Sequence, residues 1–215
     1  YSMQCKRFFK ILPPQIYSNK TITDPSISWQ APCVTIEDYP RFQWRGIATF
    51  SMLLLSIIDY MSHFKLNVLH FHITEDQGWR LELPNFPNLA LYGSKRDASP
   101  VMWDRNKGTF YYSEGEIKEI IEYGKKRFVK IIPEIVMPGH TLSLLSGYPQ
   151  YSCTGGPFKT RCYWGSGNDQ VIEFLEKILD DVLEIFDSVF IHCVGDDSPR
   201  SRWKKCSKCQ KRIKD

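Results

Sequence analysis

The chain has 215 residues and 25.2 kDa, is 42% hydrophobic and 24% charged, and carries a formal net charge of +4. A composition this close to the globular average excludes a disordered, collagenous or coiled-coil protein, and the length suits one domain better than two. The longest apolar run, from Met52 to Ile58 with Ser56 inside it, falls far short of the roughly 20 residues that cross a bilayer, so no membrane span is expected.

The charge is unevenly placed. From Arg200 to Asp215 there are eight Lys or Arg and one Asp, so residues 1–199 are net acidic and the chain ends in a basic tail. A terminal charge run of this kind reads as a solvated helix face, and no nucleic acid is expected as a partner. Seven cysteines, at 5, 33, 153, 162, 193, 206 and 209, are many for a cytosolic chain of this size, and the odd count leaves at least one thiol unpaired. Cys206 and Cys209 form a CxxC pair that resembles half of a zinc site. No second CxxC or HxxxH pair accompanies it, so metal binding is not expected. The sequon Asn19-Lys20-Thr21 joins the cysteines in favouring an oxidising route, lysosomal or secreted.

Residues 1–40 carry prolines and no sustained periodicity, and read as a lead-in segment or the remnant of an upstream domain. A strand is expected from Gly46 to Phe50, then a helix from Ser51 to Lys65 with apolar residues at 54, 57, 58, 61 and 64. A second strand runs from Leu66 to Ile73, and a polar, proline-bearing stretch follows to about residue 112. Ser113 and Glu116 form a capping box that opens a helix carrying Ile117, Ile120 and Ile121 on one face. Phe128 to Pro133 is a third strand, 169–186 the clearest helical pattern, and Val189 to Val194 a fourth strand. Strands alternating with helices of this length predict βα units and a parallel sheet over 41–199, before the basic tail at 200–215.

Chemistry in such folds sits at the carboxyl ends of the strands. Arg45 opens the first strand, while His70, His72, Glu75, Asp76, Glu134, His140, Asp196 and Asp197 lie in or just past the others. Five segments carry a family resemblance: Arg41-Phe42-Gln43-Trp44-Arg45-Gly46; Lys65 to His72; Glu75-Asp76-Gln77-Gly78-Trp79-Arg80; Pro133-Glu134 with Pro138-Gly139-His140-Thr141; and His192 with Gly195-Asp196-Asp197. Together, and in this order, they resemble the signatures of the family 20 glycoside hydrolases, the β-N-acetylhexosaminidases, from about Ile36 to Trp203.

That resemblance implies a TIM (β/α) barrel, of which this chain supplies about the first four βα units, and a glycan substrate ending in N-acetylhexosamine. It implies a reaction in which the substrate's own 2-acetamido oxygen attacks the anomeric carbon, an exception to the scheme of separate acid and nucleophile carboxylates. Asp196 then matches the carboxylate that orients the acetamido group and Asp197 the proton donor. Arg45 matches an arginine that holds sugar hydroxyls; Asp76, His140, His72 and Glu134 are expected to order the pocket and tune the acid. The sequence departs from the family by Asp for Glu at 197, by Val136 for a supporting aspartate, and by a shortened segment after the first strand. A half-barrel has open edges, so the chain is expected to be a fragment, a degenerate copy, or one completed by a homo- or hetero-oligomer, and a non-catalytic sugar-binding or accessory relative is the alternative reading. The resemblance also implies that Cys153 pairs with a cysteine past the acidic pair, for which Cys206 is nearest. A local Cys153–Cys162 bridge is the pairing expected, with Cys193 a free thiol in the core.

Overall fold

The computed structural model describes residues 9–50, 53–96, 108–156, 169–195, 198 and 200–214. Regular structure starts where the periodicity does: β1 is Gly46–Thr49, α1 is Leu54–His63 and β2 is Val68–His72. The stretch expected to be merely polar holds two short antiparallel pairs, β3 (Thr74–Glu75) with β4 (Gly78–Trp79) and β5 (Lys95–Arg96) with β6 (Gly108–Thr109). A π-helical turn at Leu89–Gly93 lies between the pairs. Strands of two residues are too short to show alternation in a sequence. Trp79 fixes this excursion: its ring is buried and its Nε1–H donates to the Leu81 carbonyl at 2.5 Å. Beside it, Arg80 donates to the carbonyls of Gln77, Ser94 and Phe110.

α2 (Glu114–Lys125) opens on the expected capping box, with the Glu116 amide donating to Ser113 Oγ and the Ser113 amide donating back to the Glu116 carboxylate. β7 is Lys130–Glu134, and a short helix that the sequence did not announce, α3 (Leu142–Gly147), follows it. α4 (Asp169–Ile185) agrees with the predicted helix, and α5 (Ser207–Lys214) lies in the basic tail. Among the described residues no helix is long and apolar enough to cross a membrane.

β1, β2 and β7 form a parallel sheet in that order, with Gly46 opposite Val68 and Val68 opposite Lys130. The expected fourth strand shrinks to one parallel bridge, where His192 N–H donates to Pro133 O and Ile135 N–H to His192 O. Val189 and Phe190 are 80% and 55% exposed, so burial does not hold the rest of that run against the sheet. Parallel pairing in chain order and the helices between strands make this a partial (β/α) barrel.

Alternation along the strands separates two faces. Leu69 and Phe71 of β2 join a core built from Leu54, Ile58 and Met61 of α1, Ile117 and Ile120 of α2, and Val171, Phe174, Ile178 and Val182 of α4. Each fully buried aliphatic side chain of this set contributes about 1.5–3 kcal/mol. The opposite face of β2 and β7 carries His70, His72, Ile132 and Glu134. A slip of one residue would drive the two histidines into the apolar layer and expose Leu69 and Phe71, so the core fixes the register of the polar face.

Candidate active site

In this register β2 and β7 end together, with His72 opposite Glu134 at the carboxyl rim of the sheet. Glu134 is only 7% exposed. It stands between two histidines: Oε2 pairs with His70 Nε2, and Oε1 lies 3.8 Å from His72 Nδ1. The other nitrogen of His72 is 2.9 Å from the Thr74 carbonyl, an acceptor, so Nε2 carries a hydrogen and donates; Glu75 Oε2 is 3.4 Å from the same atom. Glu75 continues the series through Oε1, which accepts from the Asp76 amide at 3.0 Å and meets His140 Nδ1 at 2.7 Å. Asp76 reaches the same His140 nitrogen at 3.2 Å and accepts from the Leu142 amide at 3.1 Å. On the other side, the His192 ring lies 4.5 Å from that of His70, centroid to centroid.

Local folding explains this convergence. The turn after β2 delivers Glu75 and Asp76, and Ser143 at the start of α3 clamps it by donating to the Glu75 carbonyl at 2.6 Å. His140 is held in left-handed backbone at φ 48°, a conformation that costs a non-glycine residue about 1 kcal/mol or more. The Asp76 bond to the first amide of α3 compensates that strain and aims the imidazole at the two carboxylates.

The environments separate the two β2 histidines. The hydrogen bond to Glu75, assisted by the charge of Glu134, raises His72 above the ordinary histidine value against the opposing effect of burial. Burial lowers His70, with Glu134 pulling the other way and His192 adding to the depression. Burial alone would raise Glu75, but the His72 bond, the Asp76 amide and the His140 charge together lower it. The rim thus favours the charged form of the His72 imidazole and disfavours that of His70, an electrostatic asymmetry of the kind found where acids are tuned. Two sets of three donors, His70 with Glu134 and His192, and Glu75 with Asp76 and His140, each lie within 4.8 Å of one another. Both are already engaged as acid–base pairs.

Of the residues expected from the sequence, His72, Glu134, Asp76 and His140 meet here. His70, Glu75 and His192 complete the series; for His70 the period of two along β2 was a sufficient signal, whereas the His192 contact depends on the bridge to β7. Asp196 and Asp197 lie outside the described residues. Gly195, the last described residue before them, has a φ of 81° just after the His192 bridge. Val136 is buried and donates its amide to Thr74 Oγ1 at 2.8 Å, so an apolar side chain fills the position where the resemblance implied a charge.

Arg45, expected from the resemblance to hold sugar hydroxyls, makes its own set of contacts. It precedes β1 and therefore lies at the amino end of the sheet, opposite the rim. Its guanidinium donates to the carbonyls of Phe42 at 2.5 Å, Gln43 at 3.1 Å and Lys65 at 2.7 Å, while its amide donates to Asn67 Oδ1. Arg45 clips together the approaches to β1 and β2.

The cysteines differ as well. Among the described residues no disulfide forms, and the expected Cys153–Cys162 bridge cannot be placed because Cys162 lies outside them. Cys193 is exposed, not a core thiol, because its strand is reduced to the single bridge at His192.

Residues 42–215 match the family described as glycosyl hydrolase family 20, catalytic domain. A β-hexosaminidase of Porphyromonas gingivalis is 36% identical over all of this chain, which spans 28% of that relative's length. The crystal structure of a β-N-acetylhexosaminidase from Bacteroides fragilis superposes with a TM-score of 0.72 at 34% identity, covering 82% of this chain and 36% of that one. A mutant β-hexosaminidase of Streptomyces plicatus in complex with the product GlcNAc superposes at 0.80 and 26% identity, covering 98% and 43%. The chain spans less than half the length of these relatives, yet its fold and the family match over 42–215 agree: it belongs to glycosyl hydrolase family 20.

Proposed function

We propose that the chain forms part of a β-N-acetylhexosaminidase that removes terminal β-linked N-acetylhexosamine from glycans by substrate-assisted hydrolysis with retention. The observation that carries this reading is the unbroken series of contacts from His192 through His70, Glu134, His72 and Glu75 to His140 and Asp76, on the strand rim from which the chain runs to Asp196 and Asp197. In this mechanism the acetamido oxygen of the bound sugar attacks the anomeric carbon as the glycosidic C–O bond breaks. Asp197 gives its proton to the departing oxygen, and Asp196 orients the acetamido group through its N–H. Water then opens the cyclic intermediate, with Asp197 acting as base. Glu134, His72, Asp76 and His140 order the pocket and tune the acid in this reading, and no metal or organic cofactor takes part. The GlcNAc bound by the Streptomyces plicatus relative supports the substrate class. We place the protein in a lysosomal or secreted setting, on the sequon at exposed Asn19, with a homo- or hetero-oligomer as a candidate assembly.

A second reading, a non-catalytic sugar-binding or accessory relative, is favoured by the buried apolar Val136 and by aspartate at 197. A carboxyl group displaced by about 1 Å can cost on the order of 100-fold in rate. Hydrolysis of a chromogenic N-acetyl-β-glucosaminide by the purified chain, beside Asp197→Glu and Asp197→Asn, separates the two. The enzyme reading expects a rate that rises with glutamate, vanishes with asparagine, and is absent with the matching glucoside that lacks the acetamido group. Sugar binding without hydrolysis by either the parent chain or Asp197→Glu would establish the accessory reading instead.

A further inference from the structure

Away from the rim, the fold supplies the third thiol that the CxxC pair lacks in the sequence. Cys206 immediately precedes α5 and Cys209 lies in its first turn, an arrangement fixed by the Gln210 amide donating to the Cys206 carbonyl at 2.9 Å. Cys153 comes from a separate loop just past a 3₁₀ turn at Pro149–Tyr151. The three sulfurs lie within 4.8 Å of one another, and Cys153 and Cys209 are 3.8 Å apart. We infer that Cys153, Cys206 and Cys209 form a structural zinc site, binding one Zn²⁺ through three thiolates.

Several independent features support this assignment. A Zn–S bond of about 2.3 Å in a tetrahedron sets two thiolates about 3.8 Å apart, whereas a disulfide brings its sulfurs to about 2.05 Å. The Cys153–Cys209 separation is that of two ligands on a common ion. Backbone N–H groups of Cys209 and Lys208 donate to the Cys206 sulfur, the arrangement that orients a thiolate ligand and neutralises part of its charge. Zinc with three thiolates carries one net negative charge, and Lys204, Lys205, Lys208 and Lys211 surround it in the sequence. Cys209 is buried, while Cys153 and Cys206 are half-buried, so the ion would be shielded on one side and a water could take its fourth position.

Both ligand segments rest on α4. Tyr151 stacks on Phe174 with ring centroids 4.1 Å apart, and Arg212 meets Asp169 at 2.5 Å. Ser152 Oγ accepts from the Gly155 amide at 2.7 Å and sets the turn that presents Cys153. Zinc would therefore tie the segment that follows Asp197 in the sequence to the loop that follows α3. It would also keep the three thiols reduced along an oxidising route. The site does not depend on the proposed glycosidase activity.

Cobalt substitution tests it directly. The reduced 215-residue chain, titrated with Co²⁺ under argon, is expected to take up one ion with a near-ultraviolet sulfur-to-cobalt charge-transfer band and intense visible bands of tetrahedral thiolate coordination. Cys153→Ser, Cys206→Ser and Cys209→Ser should each lose that spectrum, while Cys33→Ser and Cys193→Ser keep it. Should a ligand variant fail to fold, protection of the parent chain decides: Zn²⁺ should shield residues 153, 206 and 209 from iodoacetamide and leave 33 and 193 reactive. A reduced chain that binds no Co²⁺ or Zn²⁺, a spectrum unchanged by Cys153→Ser, or alkylation that zinc does not slow at 153 would each overturn the proposal.

Discussion

Replacing Arg45 with methionine keeps the length and apolar stem of the side chain and removes the guanidinium donors. The bond to the Lys65 carbonyl is partly shielded at 2.7 Å, and such a charge-assisted bond is worth about 1.5–2 kcal/mol. Those to Phe42 and Gln43 are solvent-exposed and contribute about 0.5 kcal/mol each, since water competes for the same donors. The variant should therefore lose about 2.5–3 kcal/mol, which for a chain of this size corresponds to a fall in Tm of about 5–10 °C. Thermal unfolding followed by circular dichroism measures the loss. Calorimetric titration with N-acetylglucosamine, below the transition of both proteins, asks whether the arginine touches sugar. Equal sugar affinity and a lowered Tm are expected. An unchanged Tm with affinity reduced tenfold would refute the structural role and return Arg45 to the binding site.

Two further outcomes follow from particular contacts. His72 holds its proton above the ordinary value of 6.5, so the stability it adds is complete below that pH and disappears as pH rises through its folded value. The stability gap between the parent chain and His72→Gln should thus be wider at about pH 6 than at about pH 9 in urea titrations; parallel pH curves would sink the assignment. Gly124→Ala adds a Cβ that would lie 2.7 Å from the Val129 carbonyl oxygen, a backbone atom that cannot swing away. Despite the better helix propensity of alanine, this variant should be about 1–3 kcal/mol less stable by denaturant unfolding, and a gain in stability would contradict the packing described.

What the sequence made legible were features whose cause is local. The capping box at Ser113 and Glu116 and the apolar stripe of α4 each depend on residues within a few turns of one another, and both appear as read. The parallel order of β1, β2 and β7 was legible because helical patterns separate the strands. The run 189–194 looked equally good, but β-branched residues report a preference and not whether a neighbour covers them. His72, Glu134, Asp76 and His140 were recognisable because each stands at or just past a strand end. Glu75 stood in the same strand-end set, but its contact with His140, like that of His192 with His70, joins residues far apart in the chain, which spacing does not record. The position of Arg45 before Gly46 set it at the amino end of β1, but its carbonyl partners at 42, 43 and 65 are not recorded by spacing. The CxxC pair looked incomplete for a related reason: its third thiol is more than fifty positions away, and only the packing of α5 and the Cys153 loop on α4 brings it near.

The spacing of the paired strands along the chain also orders the steps of folding. β1 and β2 meet across 22 residues, from Gly46 to Val68, whereas β2 and β7 meet across 62, from Val68 to Lys130. Loop-closure entropy makes the second encounter costlier by about 0.9 kcal/mol before any contact repays it. The β1–α1–β2 unit should accordingly take shape first, with β7 docking onto a preformed edge. Glu134 arrives with β7, so until that late step His70 and His72 stand without the carboxylate they share. The rim chemistry is among the last things the folding chain acquires, and a substitution that weakens β7 docking would deplete the competent site long before it abolishes the helices.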